Sequence, residues 1–197
     1  MSAFNQIFLI TGGSRGLGKG FASAIVQRGG KVIIVDIVKE VGEATEKELN
    51  ETHPGQCLFY EGDVTDELLM RNIWEDSEKK LDAKIGVLVN NAGIFNAADW
   101  KKTMNINLEN YGVKVAALCP TFSDTQMIKE NTLVDMMKSS NMVPLTVEKV
   151  ANDFIRLLED IYNEKAKNGE IMCVCSKSKY VDENKFDLRE LILPVSE

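Results

Sequence analysis

The chain has 197 residues, enough for one well-buried core and too few for two ordinary domains. Its 23 basic side chains stand against 30 acidic ones, and the net charge of −7 disfavours nucleic acid and anionic lipid surfaces, which both need a basic partner. No apolar run has the length of a membrane span, and the opening "MSAFNQIFLITGG" has neither a cationic start nor a small-residue cleavage site, so a cytoplasmic protein is expected.

Short β-branched runs recur along the chain: "IFLI" (7–10), "KVIIVD" (31–36), "CLFY" (57–60), "VLVN" (87–90), "VKVAAL" (113–118) and "IMCVC" (171–175). Segments of helical period separate most of them, which predicts an α/β fold with a doubly wound parallel sheet covered on both faces. The clearest helix is predicted over 147–162, with Thr146 as N-cap and an apolar stripe from Val147 to Ile161 that reads as core. A single domain over 1–197 is expected, and residues 176–197 read as a C-terminal tail, either docking or frayed. The cysteines Cys57, Cys119, Cys173 and Cys175 sit in strand-like runs and read as core thiols. Cys173 and Cys175 with the lone His53 fall short of four ligands, so no metal is expected.

"TGGSRGLG" (11–18) follows the first strand at once and opens the first helix. Gly12, Gly16 and Gly18 let the backbone turn tightly and approach a pyrophosphate, whose charge then meets helix N-terminal amides. Asp36 ends the second strand, where a carboxylate accepts hydrogen bonds from ribose hydroxyls. It also repels a 2′-phosphate, which favours NAD over NADP. Arg15 in the loop argues the other way, and Asp36 outweighs it because a carboxylate must be neutralised before NADP binds.

That G-x-x-x-G-x-G spacing, "GDV" at 62–64, "NNAG" at 90–93 and "NINL" at 105–108 together resemble the short-chain dehydrogenase/reductase family. The resemblance implies a Rossmann-type fold and an NAD-dependent oxidoreductase that converts a secondary alcohol of a hydrophobic small molecule to a ketone. It implies that Gly12, Ser14, Arg15, Gly16, Leu17 and Gly18 hold the cofactor with Asp36, and that Asp63 and Val64 flank the adenine. Asn90, Ala92 and Gly93 would line the cleft, with Pro120 to Thr125 near the nicotinamide. Where the family usually has "PG", this chain has Pro120-Thr121.

The family moves the hydroxyl proton with Tyr-x-x-x-Lys on a helix, where four-residue spacing lets the ammonium lower the phenol pKa. Here Tyr60, Tyr111, Tyr162 and Tyr180 are followed four positions on by Val64, Val115, Ala166 and Asn184. Only Glu109, Asn110 and Tyr111 separate "NINL" from Gly112, so a helix, the strand with the family's serine and the catalytic helix are expected to be missing as one block. Asn107 is the retained member of the catalytic set. Tyr111 and Lys114 do not replace the pair, because the β-branched run around them reads as extended and residues three apart on a strand face opposite ways. The expected outcome is a sheet shortened by one strand with its flanking helices, closed by a crossover with a helical stretch near 99–109. Little dehydrogenase activity is expected. The alternative is a non-catalytic, truncated NAD-binding variant acting through binding or partner exchange. The absent helices are those that by resemblance form the family's dimer interface, so the oligomeric state is left open.

Overall fold

The computed structural model describes residues 2–93, 116–120, 123, 125, 144–166, 170–174 and 179–181. Four strands, β1 (Ile7–Thr11), β2 (Lys31–Asp36), β3 (Cys57–Glu61) and β4 (Ile85–Val89), form a parallel sheet in the order β3-β2-β1-β4. The order reverses between β1 and β4, the switch point where open α/β sheets bind ligands beyond their strand ends.

Alternation along β1 and β2 builds two cores. Phe8, Ile10, Val32 and Ile34, with Cys57, pack against α1 (Gly16–Val26), α2 (Lys39–Thr52) and α4 (Val147–Tyr162) through Phe21, Ile25, Leu49, Val150 and Phe154. Ile7, Leu9, Ile33 and Val35 pack on the other face against Ile73 of α3 (Glu67–Leu81), with Leu69, Met70 and Trp74 at the margin. Strands buried on both faces need apolar residues at every position, which is why "IFLI" and "VIIV" lack polar alternation. Burial first, then the nearby Glu46 carboxylate, pushes the Cys57 thiol from 9.0 up to about 12.

The helices begin where their caps allow. Asp66 accepts the Leu69 N–H at 3.0 Å to start α3, and Thr146 accepts that of Lys149 at 3.1 Å to start α4, as expected for that threonine. In α4 the apolar stripe lies on α1, where the Phe21 and Phe154 rings stack with centroids 4.3 Å apart.

The shortened Rossmann-type arrangement holds, and its described strands fall into two sheets. The remaining described strands, β5 (Ala116–Pro120), β6 (Glu170–Val174) and β7 (Lys179–Val181), form a second sheet in the order β5-β6-β7. Among the described strands β4 bonds only to β1, and β5 only to β6. Leu88 of β4 is 46% exposed, while its register partner Leu9 is fully buried. A parallel ladder forms only where the next strand comes within about 4.8 Å, and the four-stranded sheet has not drawn β5 into the position beside β4. Inside the stretch read as a docking or frayed tail, β7 pairs antiparallel with β6. The expected helical stretch at 99–109, Asn107, Tyr111 and Lys114 lie outside the described residues.

Among the described residues, no helix is long and apolar enough to cross a membrane, and no group of three or more His, Cys, Asp or Glu is placed to hold a metal.

Candidate nucleotide site

The loop after β1 leaves the sheet at Gly12, whose N–H donates to Val35 O at 2.7 Å. Gly12 and Gly16 have φ of +63° and +56°, in the left-handed region that side chains with a Cβ rarely adopt. At Gly18 the need is steric: a Cβ there would lie 2.2 Å from the Gly12 carbonyl oxygen. The loop and the first turn of α1 are therefore in backbone contact. Arg15 precedes α1 in an extended conformation and its side chain makes no capping bond to the helix N-terminus.

Asp36 is tied into this loop. Its Oδ2 accepts the Ser14 N–H at 3.3 Å, and its Oδ1 accepts the Val38 N–H at 3.2 Å. The end of β2 thus holds the end of β1's loop through one carboxylate. Ser14 is buried, and among the described residues its Oγ has no hydrogen-bond partner. Beside Asp36, Ile37 is 65% exposed, and Val64, beyond the end of the adjacent β3, is 43% exposed. Asp63 is exposed and accepts both the N–H (2.9 Å) and the hydroxyl (2.8 Å) of Thr65, which hold its carboxyl below the usual range.

On the other side of β1 the structure brings in residues that sequence reasoning passed over. Thr11 Oγ1 accepts the N–H groups of Asn91 and Ala92 at 3.1 and 3.0 Å, and the Asn91 side-chain amide donates to the carbonyls of Thr11 (3.0 Å) and Gly12 (3.1 Å). Of the two asparagines in "NNAG", Asn91 supports the glycine loop, while Asn90 and Gly93 are exposed. The signal available was the pair of adjacent amides itself; which of them turns inward is decided by the register of β4 on β1. Thr125 also joins the loop, since a Cβ on Gly16 would meet its Cγ2 at 3.6 Å, and half-buried Pro120 ends β5. Gly12, Ser14, Gly16, Gly18, Asp36, Ala92 and Thr125 thus surround one loop, Leu17 packs half-buried against the core beneath it, and Arg15 is exposed. Asp63 and Val64 stand at the neighbouring end of β3.

These residues fit a dinucleotide. Positive-φ glycines and a backbone crossing that no Cβ can enter leave amides within reach of a pyrophosphate, a carboxylate stands at the end of β2, and a buried hydroxyl lacks a partner among the described residues.

A profile of the family described as short chain dehydrogenase matches residues 6–111. The chain is 37% identical over 111 residues to 15-hydroxyprostaglandin dehydrogenase [NAD(+)] of Bos taurus, covering 55% of this chain and 41% of that protein. It is 30% identical over 159 residues to the Homo sapiens protein of the same name, covering 76% and 56%. The chain spans about half the length of these curated relatives. A solved short chain dehydrogenase from Bacillus anthracis superposes with a TM-score of 0.70 at 19% identity, over 87% of this chain and 96% of that one. With more than half of its length matched by the family profile, the chain belongs to the short chain dehydrogenase family.

Proposed function

We propose that this protein binds NAD, in preference to NADP, through the loop at 12–18 and Asp36, and that the chain has little dehydrogenase activity by itself. The observation that carries NAD binding is the bridge from Asp36 to the Ser14 amide, which sets a carboxylate beside the phosphate loop. The amides opening α1 hold the pyrophosphate, Asp36 accepts from the adenosine ribose hydroxyls, and Ile37 and Val64 offer apolar contact to the base. Asn90, Ala92 and Gly93 line the middle of the cleft, and Pro120 and Thr125 border the nicotinamide half. When bound, the nicotinamide supplies the carbon that takes or returns a hydride.

The companion proton transfer is where the chain falls short. No Tyr-x-x-x-Lys exists in the sequence. Tyr60 packs on the α3 face of the sheet, and its hydroxyl donates to Asp76 at 2.7 Å. Burial and then that hydrogen bond push its pKa up, the wrong direction for a base near neutral pH. Tyr162 is the last residue of α4. A missing general acid/base lowers the rate by about 10²- to 10⁴-fold.

Calorimetric titration of the intact chain tests the proposal. NAD is expected to bind in the micromolar range and NADP at least tenfold more weakly. Asp36→Ala is expected to weaken NAD by about 10- to 100-fold, the worth of one or two hydrogen bonds to a charged group. No binding of NAD, or equal binding of NADP, contradicts it. A second possibility is a working oxidoreductase for hydrophobic secondary alcohols. It is favoured by the 159-residue match, which runs past the family profile's own span, to a relative named for that kind of reaction. NADH production dependent on such an alcohol would establish it.

A further inference from the structure

We infer that Thr45, on α2 and remote in sequence from the glycine loop, is a positioning residue for that loop. This rests on the NAD-binding function proposed for the loop. A hydroxyl in a helix interior ordinarily donates to the carbonyl one turn earlier on its own helix. Thr45 does not: its Oγ1 donates to Ser14 O at 2.8 Å, across 31 positions of sequence, and both residues are buried. The N–H of Ser14 is held from the other side by Asp36 Oδ2. Ser14 is thus fastened at both its amide and its carbonyl, one point on β2 and one on α2, inside a loop whose flanking glycines would otherwise let it turn freely.

The direction of the fastening matters. In a planar trans peptide the carbonyl and the N–H that follows it point to opposite sides. Drawing Ser14 O toward α2 turns the 14–15 peptide so that its amide edge points away from α2. The direction in which the chain enters α1 at Gly16, and so the aim of the helix's first amides, follows from that peptide. Pyrophosphate binding depends on the aim of several amides at once, so a loop free to rotate at Ser14 binds a nucleotide more weakly even though Thr45 itself touches no ligand.

The test is titration of the intact wild-type, Thr45→Val and Thr45→Ser proteins with NAD and with ADP-ribose, at a temperature where circular dichroism shows each folded. Thr45→Val keeps the side-chain volume and loses the donor. It is expected to weaken both nucleotides by roughly three- to tenfold, the range of one net hydrogen bond. Thr45→Ser retains the hydroxyl and is expected to stay within about twofold of wild type on the same scale. A Thr45→Val protein that melts at a lower temperature yet binds both nucleotides like wild type would show a purely structural hydroxyl and overturn the inference. If Thr45→Val does not fold, Thr45→Cys, with a weaker donor in a similar volume, is held to the same criterion. Wild-type protein that binds neither nucleotide overturns the proposed function, a result distinct from wild-type binding that Thr45→Val leaves unchanged.

Discussion

Asn91 illustrates how much of the glycine loop is held by one amide. Its side chain donates to two consecutive carbonyls, those of Thr11 and Gly12, and its backbone N–H donates to the Thr11 hydroxyl. Asn91→Ala leaves both carbonyls short of a donor in a partly buried place, and is expected to cost about 1–3 kcal/mol in urea unfolding. Cys57 gives a prediction in pH. Its thiol titrates at about 12 in the folded protein and near 9.0 unfolded, so the unfolded chain loses its proton first. Stability is therefore full below pH 9 and declines as pH rises from 9 toward 12, by up to about 1.4 kcal/mol per pH unit from this group. Cys57→Ala is expected to show a shallower decline over pH 9 to 10.5 in denaturant titrations; equal slopes would refute the assignment. That the glycines and Asp36 meet at one loop was legible in the sequence, because a tight turn between a strand and a helix needs glycines at fixed spacing and Asp36 ends the adjacent strand. Asn91 and Thr45 were not, because an amide or a hydroxyl shows no partner until the fold brings one from 31 or 80 positions away.

At the scale of elements, strand and helix periods were readable wherever burial dictates composition. β2 was expected over the span it occupies, and α4 was expected from Val147 to Tyr162 with its threonine cap. β4 starts two residues earlier than its apolar run, at Ile85 and Gly86, because pairing with β1 rather than hydrophobicity sets its limits. β7 went unseen since three residues give no period to detect. The helix pair α1–α4 carries its own prediction. Phe154 fills the space against Phe21 at a buried position, and Phe154→Ala is expected to destabilise the fold by about 3–5 kcal/mol in thermal or urea unfolding. A loss under 1 kcal/mol would mean that α4 is not held on α1 by this contact.

For the whole molecule, the two separate sheets are the feature that sequence periodicity did not reveal, because the same apolar strand pattern serves one sheet or two. Their separation makes positions that look alike in sequence unequal in energy. Leu9 and Leu88 are register partners, one buried and one nearly half exposed. Leu9→Ala is expected to cost about 2–5 kcal/mol. Leu88→Gln is expected to stay within about 0.5 kcal/mol of wild type, and a loss of several kcal/mol there would mean that Leu88 is covered in solution.

The seating of α4 on α1 also sets a clock. During synthesis the glycine loop and Asp36 leave the ribosome early, but the helix that the loop opens is buried against residues made more than a hundred positions later. The first half of the chain can pair its strands while still tethered, yet one flank of α1 stays wet until α4 emerges, and contacts so distant in sequence are slow to form. A nascent chain halted before residue 147 would hold every residue of the glycine loop and still lack the helix that packs on the loop's own helix.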